Sequence, residues 1–193
     1  MAAVFNAENS IGTRYRTGMW VALASMAMLF TSLSSAYIVR SGTAYDWRPV
    51  AIPRALLVST VLLLLSSVSL ELARRKLKQS LYDAYARYLL VTVLLGLVFL
   101  ASQLSAWRQL SAQGIYLASH PHSSFFYLLT GAHAVHLLGG LLALIFLWLG
   151  ARRELSAPEA VAKRQAAASA VTIYWHFMDA LWIYLFLLLF LWR

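Results

Sequence analysis

The chain has 193 residues, 61% of them hydrophobic and 12% charged, with a formal charge of +9. Its mean hydropathy of +0.68 puts it in the membrane class. The basic residues lie in short runs between apolar stretches rather than on one solvated face, which argues against a nucleic-acid partner. The absence of cysteine excludes disulfides, thiolate metal sites and iron-sulfur clusters.

Five stretches are long enough to cross a bilayer, at about 17–39, 55–73, 88–107, 125–150 and 168–192. They predict an all-α bundle of five transmembrane helices forming a single domain over 1–193, because the linkers are too short to hold a soluble unit. The first span follows a polar segment, MAAVFNAENSIGTRYR, and is too long for a secretory signal, so it reads as a retained helix. It carries Ser32, Ser34 and Ser35, and the second span carries Ser66, Ser67 and Ser69. Small hydroxyl residues of this kind read as helix-packing surfaces.

Pro53 suits the start of the second span. At its far end Glu71 is followed by Arg74, Arg75 and Lys76, so the carboxylate can reach the membrane boundary and pair with cations three or four residues on. The third span ends near Gln103, Ala106 and Trp107. Gly131, Gly139 and Gly140 in the fourth span permit close helix approach, and Pro121 and Pro158 are expected in loops.

Basic residues fix the predicted orientation. Arg14, Arg16, Arg74, Arg75, Lys76, Lys78, Arg87, Arg152, Arg153, Lys163 and Arg164 fall on the N-terminal side. Arg40, Arg48, Arg54, Arg108 and Arg193 fall on the other. This asymmetry predicts a cytoplasmic N-terminus and a periplasmic C-terminus. Tyr82, Tyr85, Tyr88 and Trp148 near one boundary, and Tyr45, Trp47, Trp107, Tyr116 and Trp192 near the other, read as interfacial anchors. Arg40, Lys163 and Arg164 are candidate contacts for phospholipid headgroups, with solvated loop charge as the plainer reading.

Four ionisable residues lie deep in the last two spans: His133 and His136 in FFYLLTGAHAVHLLGG, and His176 and Asp179 in YWHFMDALWIYLFLLLFLW. A charge in mid-bilayer costs about 3 kcal/mol on insertion scales, so such groups face a bundle interior or serve a function. Each pair is spaced i, i+3, on one helical face, and antiparallel packing would bring His136 and Asp179 to similar depth. The cluster reads either as an interhelical pin or as a proton-handling group. A haem or metal reading is disfavoured. Three intramembrane histidines do not make two facing pairs, and no Glu-x-x-His pattern accompanies them. No catalytic, cofactor-binding or metal residue is assigned.

SSFFYLLTGAHAVHLLGG (Ser123 to Gly140) and YWHFMDALWIYLFLLLFLW (Tyr174 to Trp192) closely resemble the two hallmark segments of subunit III of haem-copper terminal oxidases. GMWVALASMAMLFTSLSSAYIV and LLVSTVLLLLSSVSLELA resemble the family's preceding spans. The resemblance covers nearly the whole chain and fits the five-helix bacterial form, which lacks two N-terminal helices of longer members. It implies an accessory subunit of a cytochrome c oxidase in the bacterial inner membrane, without haem or copper of its own. Such a subunit would stabilise subunit I, bind phospholipid and support proton uptake. Haems and copper are expected in the partners, which are subunit I directly, then subunit II and other respiratory subunits. The equivalent subunit of a quinol oxidase or nitric oxide reductase is the near alternative. A di-haem cytochrome and a small transporter are remote ones, and no internal repeat supports the latter.

Two positions depart from the family pattern. Ser25 is followed by Met26 where members commonly have a carboxylate, and Ala106 precedes Trp107 where members often have Glu, although Gln103 remains. Glu71, at the membrane boundary, and Gln103 are the possible interface polar residues.

Overall fold

The computed structural model describes the backbone of residues 2–43, 45, 55–155 and 157–191, and side chains from residue 13 onward within those ranges except 55. Arg48, Arg54, Arg193, Pro53, Trp47 and Trp192 lie outside the described residues. The described chain is five α-helices: α1 (Ala2–Thr43), α2 (Ala55–Lys78), α3 (Tyr82–Ala112), α4 (Pro121–Leu149) and α5 (Pro158–Leu191). Each contains a segment long and apolar enough to cross a membrane. No strand occurs among the described residues, as expected where lipid cannot satisfy open backbone groups.

The helices outrun the apolar stretches because hydropathy marks the membrane while hydrogen bonding marks the helix. α2 continues through Arg74, Arg75 and Lys76 to Lys78, so its last-turn cations face its own carbonyls. Pro121 and Pro158, expected in loops, instead open α4 and α5. Proline fits there because the first helical N–H has no intrahelical acceptor to lose. The start of α4 is reinforced by the His120 N–H, which donates to Ser123 Oγ at 3.1 Å.

α2 and α3 end in the same way. Leu81 N–H donates to Lys76 O at 3.0 Å and Ser80 N–H to Leu77 O at 3.0 Å, with Ser80 left-handed at φ 58°. Ile115 N–H donates to Leu110 O and Gly114 N–H to Ser111 O, with Gly114 at φ 75°. Both are Schellman closures, one using the expected glycine and the other a serine.

The packing order around the bundle is α1, α5, α2, α3, α4 and back to α1, with α4 and α5 also touching each other. These two are thus the central helices. The core contains Trp175 and Trp182 of α5, Phe99 of α3, Phe30 of α1 and Leu137 of α4. Large apolar side chains such as Met28, Val68, Val135 and Phe146 cover the outside, as suits a surface solvated by lipid.

Two glycines set the central spacing. A Cβ on Gly140 would lie 2.8 Å from a Tyr174 ring carbon and 3.3 Å from Trp175. One on Gly96 would lie 3.0 Å from the Trp175 ring. Trp175 therefore occupies space that α3 and α4 provide only by omitting side chains. Gly131 and Gly139 leave room of 3.8 Å, ordinary contact distance.

Tyr85, expected as an interfacial anchor, is 1% exposed and packs in the core. Met26 packs against the core and Ala106 is wholly buried. Apolar packing thus occupies both positions at which the resemblance leads acids to be expected.

Candidate functional site

Three indoles are tied to hydroxyls on other helices. Trp175 Nε1–H donates to Ser66 Oγ at 2.9 Å, Trp182 Nε1–H to Thr60 Oγ1 at 3.0 Å, and Trp107 Nε1–H to Thr130 Oγ1 at 3.3 Å. Each hydroxyl donates its own hydrogen to a carbonyl one turn back: Ser66 to Leu63 O, Thr60 to Leu56 O and Thr130 to Phe126 O. Its lone pairs then point outward from the helix, to the one group of the buried indole that must be satisfied. These pins join α5 to α2 twice and α3 to α4 once. Trp107, expected as an interfacial anchor, is one of them.

The four intramembrane residues do not form a single cluster. On α5, Asp179 Oδ2 is hydrogen-bonded to Ser67 Oγ of α2, which also lies 2.8 Å from His176 Nδ1. Asp179 is buried and its Oδ1 has no hydrogen-bond partner. On α4, His133 is 1% exposed with neither ring nitrogen hydrogen-bonded. Its ring is held at 5.3 Å from Trp182 and 6.3 Å from Phe99. His136 turns towards α1, with Nδ1 2.7 Å from Ala132 O and its ring edge-on to Phe30. The expected meeting of the α4 and α5 pairs is replaced by pairing of α5 with α2, because α2 supplies the hydroxyl at that depth. The link between α4 and α5 is instead Tyr174 O–H, which donates to His136 O at 2.7 Å.

Ser67 is the member of this hydrogen-bonded group that the residue pattern does not single out. Three serines of the second span carry the same signal, and only the position of α5 distinguishes this one. Among the described residues no group of three His, Cys, Asp or Glu side chains converges in a way that could hold a metal.

The remaining candidates are placed as follows. Glu71 pairs with Arg74 at 3.3 Å and Arg75 at 3.4 Å, as its spacing predicts. Gln103, the other possible interface polar residue, is 3% exposed and donates from Nε2 to Ser59 Oγ at 3.3 Å, between α3 and α2. Arg164, expected towards lipid, reaches back to the end of α4, where it donates to Gly150 O at 2.8 Å and Arg153 O at 2.7 Å. Its guanidinium also lies 5.6 Å from the centre of the Tyr82 ring. A cation there satisfies carbonyls that the helix leaves open. Lys163 forms an exposed ion pair with Glu159 at 2.7 Å, and Arg40 is exposed in the last turn of α1.

An all-helical membrane bundle with several buried polar side chains bonded from helix to helix narrows the reading, and similarity to known proteins decides it. The family model of cytochrome c oxidase subunit III matches residues 5–193. The chain belongs to that family. It is similar to a Mycobacterium bovis protein named "Probable cytochrome c oxidase subunit 3", with 33% identity over 88% of this chain and 83% of the relative. The cytochrome c oxidase subunit 3 of Corynebacterium diphtheriae is 30% identical over 96% and 89%. That of Thermostichus vulcanus is 28% identical over 90% and 85%. As a subunit III, this multi-pass membrane protein works in a complex with other oxidase subunits.

Proposed function

We propose that the chain is the accessory subunit III of a bacterial cytochrome c oxidase, seated in the inner membrane with its N-terminus in the cytoplasm and C-terminus in the periplasm. It packs beside the large catalytic subunit, which carries the haems and copper, and brings no redox centre of its own. Its work is to brace that subunit and order phospholipid against it, and by bracing it to support proton uptake. The observation that carries this reading is the family match over residues 5–193. The geometry agrees with a bracing role, since the buried polar side chains of α2, α3, α4 and α5 are largely engaged in interhelical hydrogen bonds. Arg40, Lys163 and Arg164 are the candidate headgroup contacts, with Arg164 also engaged at the end of α4 and Lys163 with Glu159.

The test is purification in mild detergent with an optical spectrum and subunit identification on the same sample. Co-purification with a large haem-containing subunit and a copper-binding partner is expected. A chain that purifies alone and colourless from membranes rich in assembled oxidase would refute the assignment. A complex that oxidises quinol or reduces nitric oxide, with no activity on cytochrome c, would move it to the related enzymes.

A further inference from the structure

Ser67 lies near the middle of α2 and His176 near the middle of α5. Between the two helices runs an open groove of about 390 Å³ lined by Ser67, Val68, Glu71, Leu72, Arg75 and His176. The His176 ring is exposed in it, whereas Asp179 behind it is buried. The only partner of the ring among the described residues is Ser67, at Nδ1.

Proton counting fixes what the other ring nitrogen offers. His176 Nδ1, Ser67 Oγ and Asp179 Oδ2 form one hydrogen-bonded chain, and in a low dielectric its favoured states carry no net charge. With both bonds filled and the proton of a neutral carboxyl on Oδ2, two such states exist. In one, a protonated carboxyl donates to Ser67, which donates to Nδ1 of a neutral imidazole. In the other, an imidazolium Nδ1–H donates to Ser67, which donates to a carboxylate. A proton on Oδ1 is disfavoured because that oxygen is buried without a partner. In both states Nε2 bears hydrogen, so the ring presents a donor to the groove.

Lipid cannot satisfy that donor. His176 is twelve residues beyond Arg164, about 18 Å along the helix. Acyl chains at that depth hold no acceptor. A helix carbonyl already carries its intrahelical bond and takes a second only where a side chain reaches the backbone closely, as Tyr174 does at His136 O.

We propose that the groove between α2 and α5 seats a transmembrane helix of another subunit, which presents a side-chain oxygen of Ser, Thr, Asn, Gln, Asp or Glu to His176 Nε2–H. This rests on the reading that the chain works inside an oxidase complex, and assigns the face and the chemistry of one contact within it. Glu71 and Arg75 lie at the end of the same groove, so the partner helix leaves the membrane beside a charged pair.

The experiment uses the full chain in intact membranes, with a photo-cross-linking phenylalanine analogue at Val68, which is 59% exposed in the groove, or at Phe146 on α4, which is 77% exposed outside it. Val68 is expected to cross-link to a transmembrane helix of an oxidase subunit carrying one of those side chains within a turn of the adduct. His176→Leu is expected to lower that yield about threefold to eighteenfold, the range of a membrane hydrogen bond, and His176→Gln, which keeps an N–H donor, to restore most of it. Adducts at Val68 to lipid only, to a second copy of the chain, or to an apolar helix that ignores His176→Leu would overturn the proposal. If oxidase subunits cross-link at Phe146 and not at Val68, the functional reading stands and the groove assignment falls. If Val68 finds a helix of the stated chemistry in a protein that is not an oxidase subunit, the groove stands and the functional reading falls.

Discussion

Trp175 and Ser66 allow the interhelical pins to be weighed directly. Trp175 is wholly buried, its Nε1–H donates to Ser66 Oγ at 2.9 Å, and its ring fills the space opened by Gly96 and Gly140. Ser66→Ala removes the acceptor and strands the indole N–H, while the Leu63 carbonyl that Ser66 also served keeps its helical bond. The expected cost is about 1 kcal/mol, between the 0.6 kcal/mol average and the 1.7 kcal/mol maximum measured for hydrogen bonds in membranes. Trp175→Phe loses the same bond and roughly 40 Å³ of side chain, worth about 1 kcal/mol more at about 24 cal/mol per Å³ of cavity. The double variant lacks donor and acceptor together, so nothing is stranded. It should be more stable than the sum of the single losses predicts, by about 0.6 to 1 kcal/mol. The assay is reversible unfolding in mixed micelles titrated with a denaturing detergent, followed by circular dichroism, on all four proteins. Strict additivity within about 0.3 kcal/mol, or a Ser66→Ala variant as stable as the parent, would show that the pin contributes no stability.

Two further substitutions probe the backbone and the glycine spacing in the same assay. Ser80→Gly should stabilise by about 0.5 kcal/mol, since the left-handed φ of 58° costs an L-residue about 1 kcal/mol and glycine gives back part of that gain in unfolded-chain entropy; a loss of stability would refute the closure as drawn. Gly140→Ala should destabilise by about 1 to 3 kcal/mol, because the new methyl meets the Tyr174 ring at 2.8 Å, whereas Gly139→Ala, with 3.8 Å of room, should stay near the parent. Equal effects at the two positions would contradict the packing of α5 on α4.

Part of the candidate site is legible in the order of residues alone. Deep placement singles out His176 and Asp179, and i, i+3 spacing puts them on one face, where both do meet Ser67. The same reasoning gives Glu71 its two arginines, since those partners lie on its own helix. It fails for His133 and His136, whose identical spacing sends one ring between Trp182 and Phe99 and the other towards Phe30. Spacing defines a face, but not what the face meets. Arg164 misleads in a similar way: a cation near a membrane boundary suggests headgroups, and the open carbonyls at the end of α4 are a nearer acceptor.

The sequence by itself determined that five helices cross a membrane, because burying backbone in lipid leaves a long apolar stretch no other choice. It also determined the family, through two long segments whose residue order is specific. Only the tertiary structure decided which helices are neighbours, which indole reaches which hydroxyl, and which serine joins His176 to Asp179. The reason is physical. In a soluble protein the core face of a helix is apolar and the other polar, so the sequence marks its inner side. In a bilayer, lipid and helix interior are about equally apolar, and contact is chosen by shape and by a few hydrogen bonds, whose partners lie far apart in the chain.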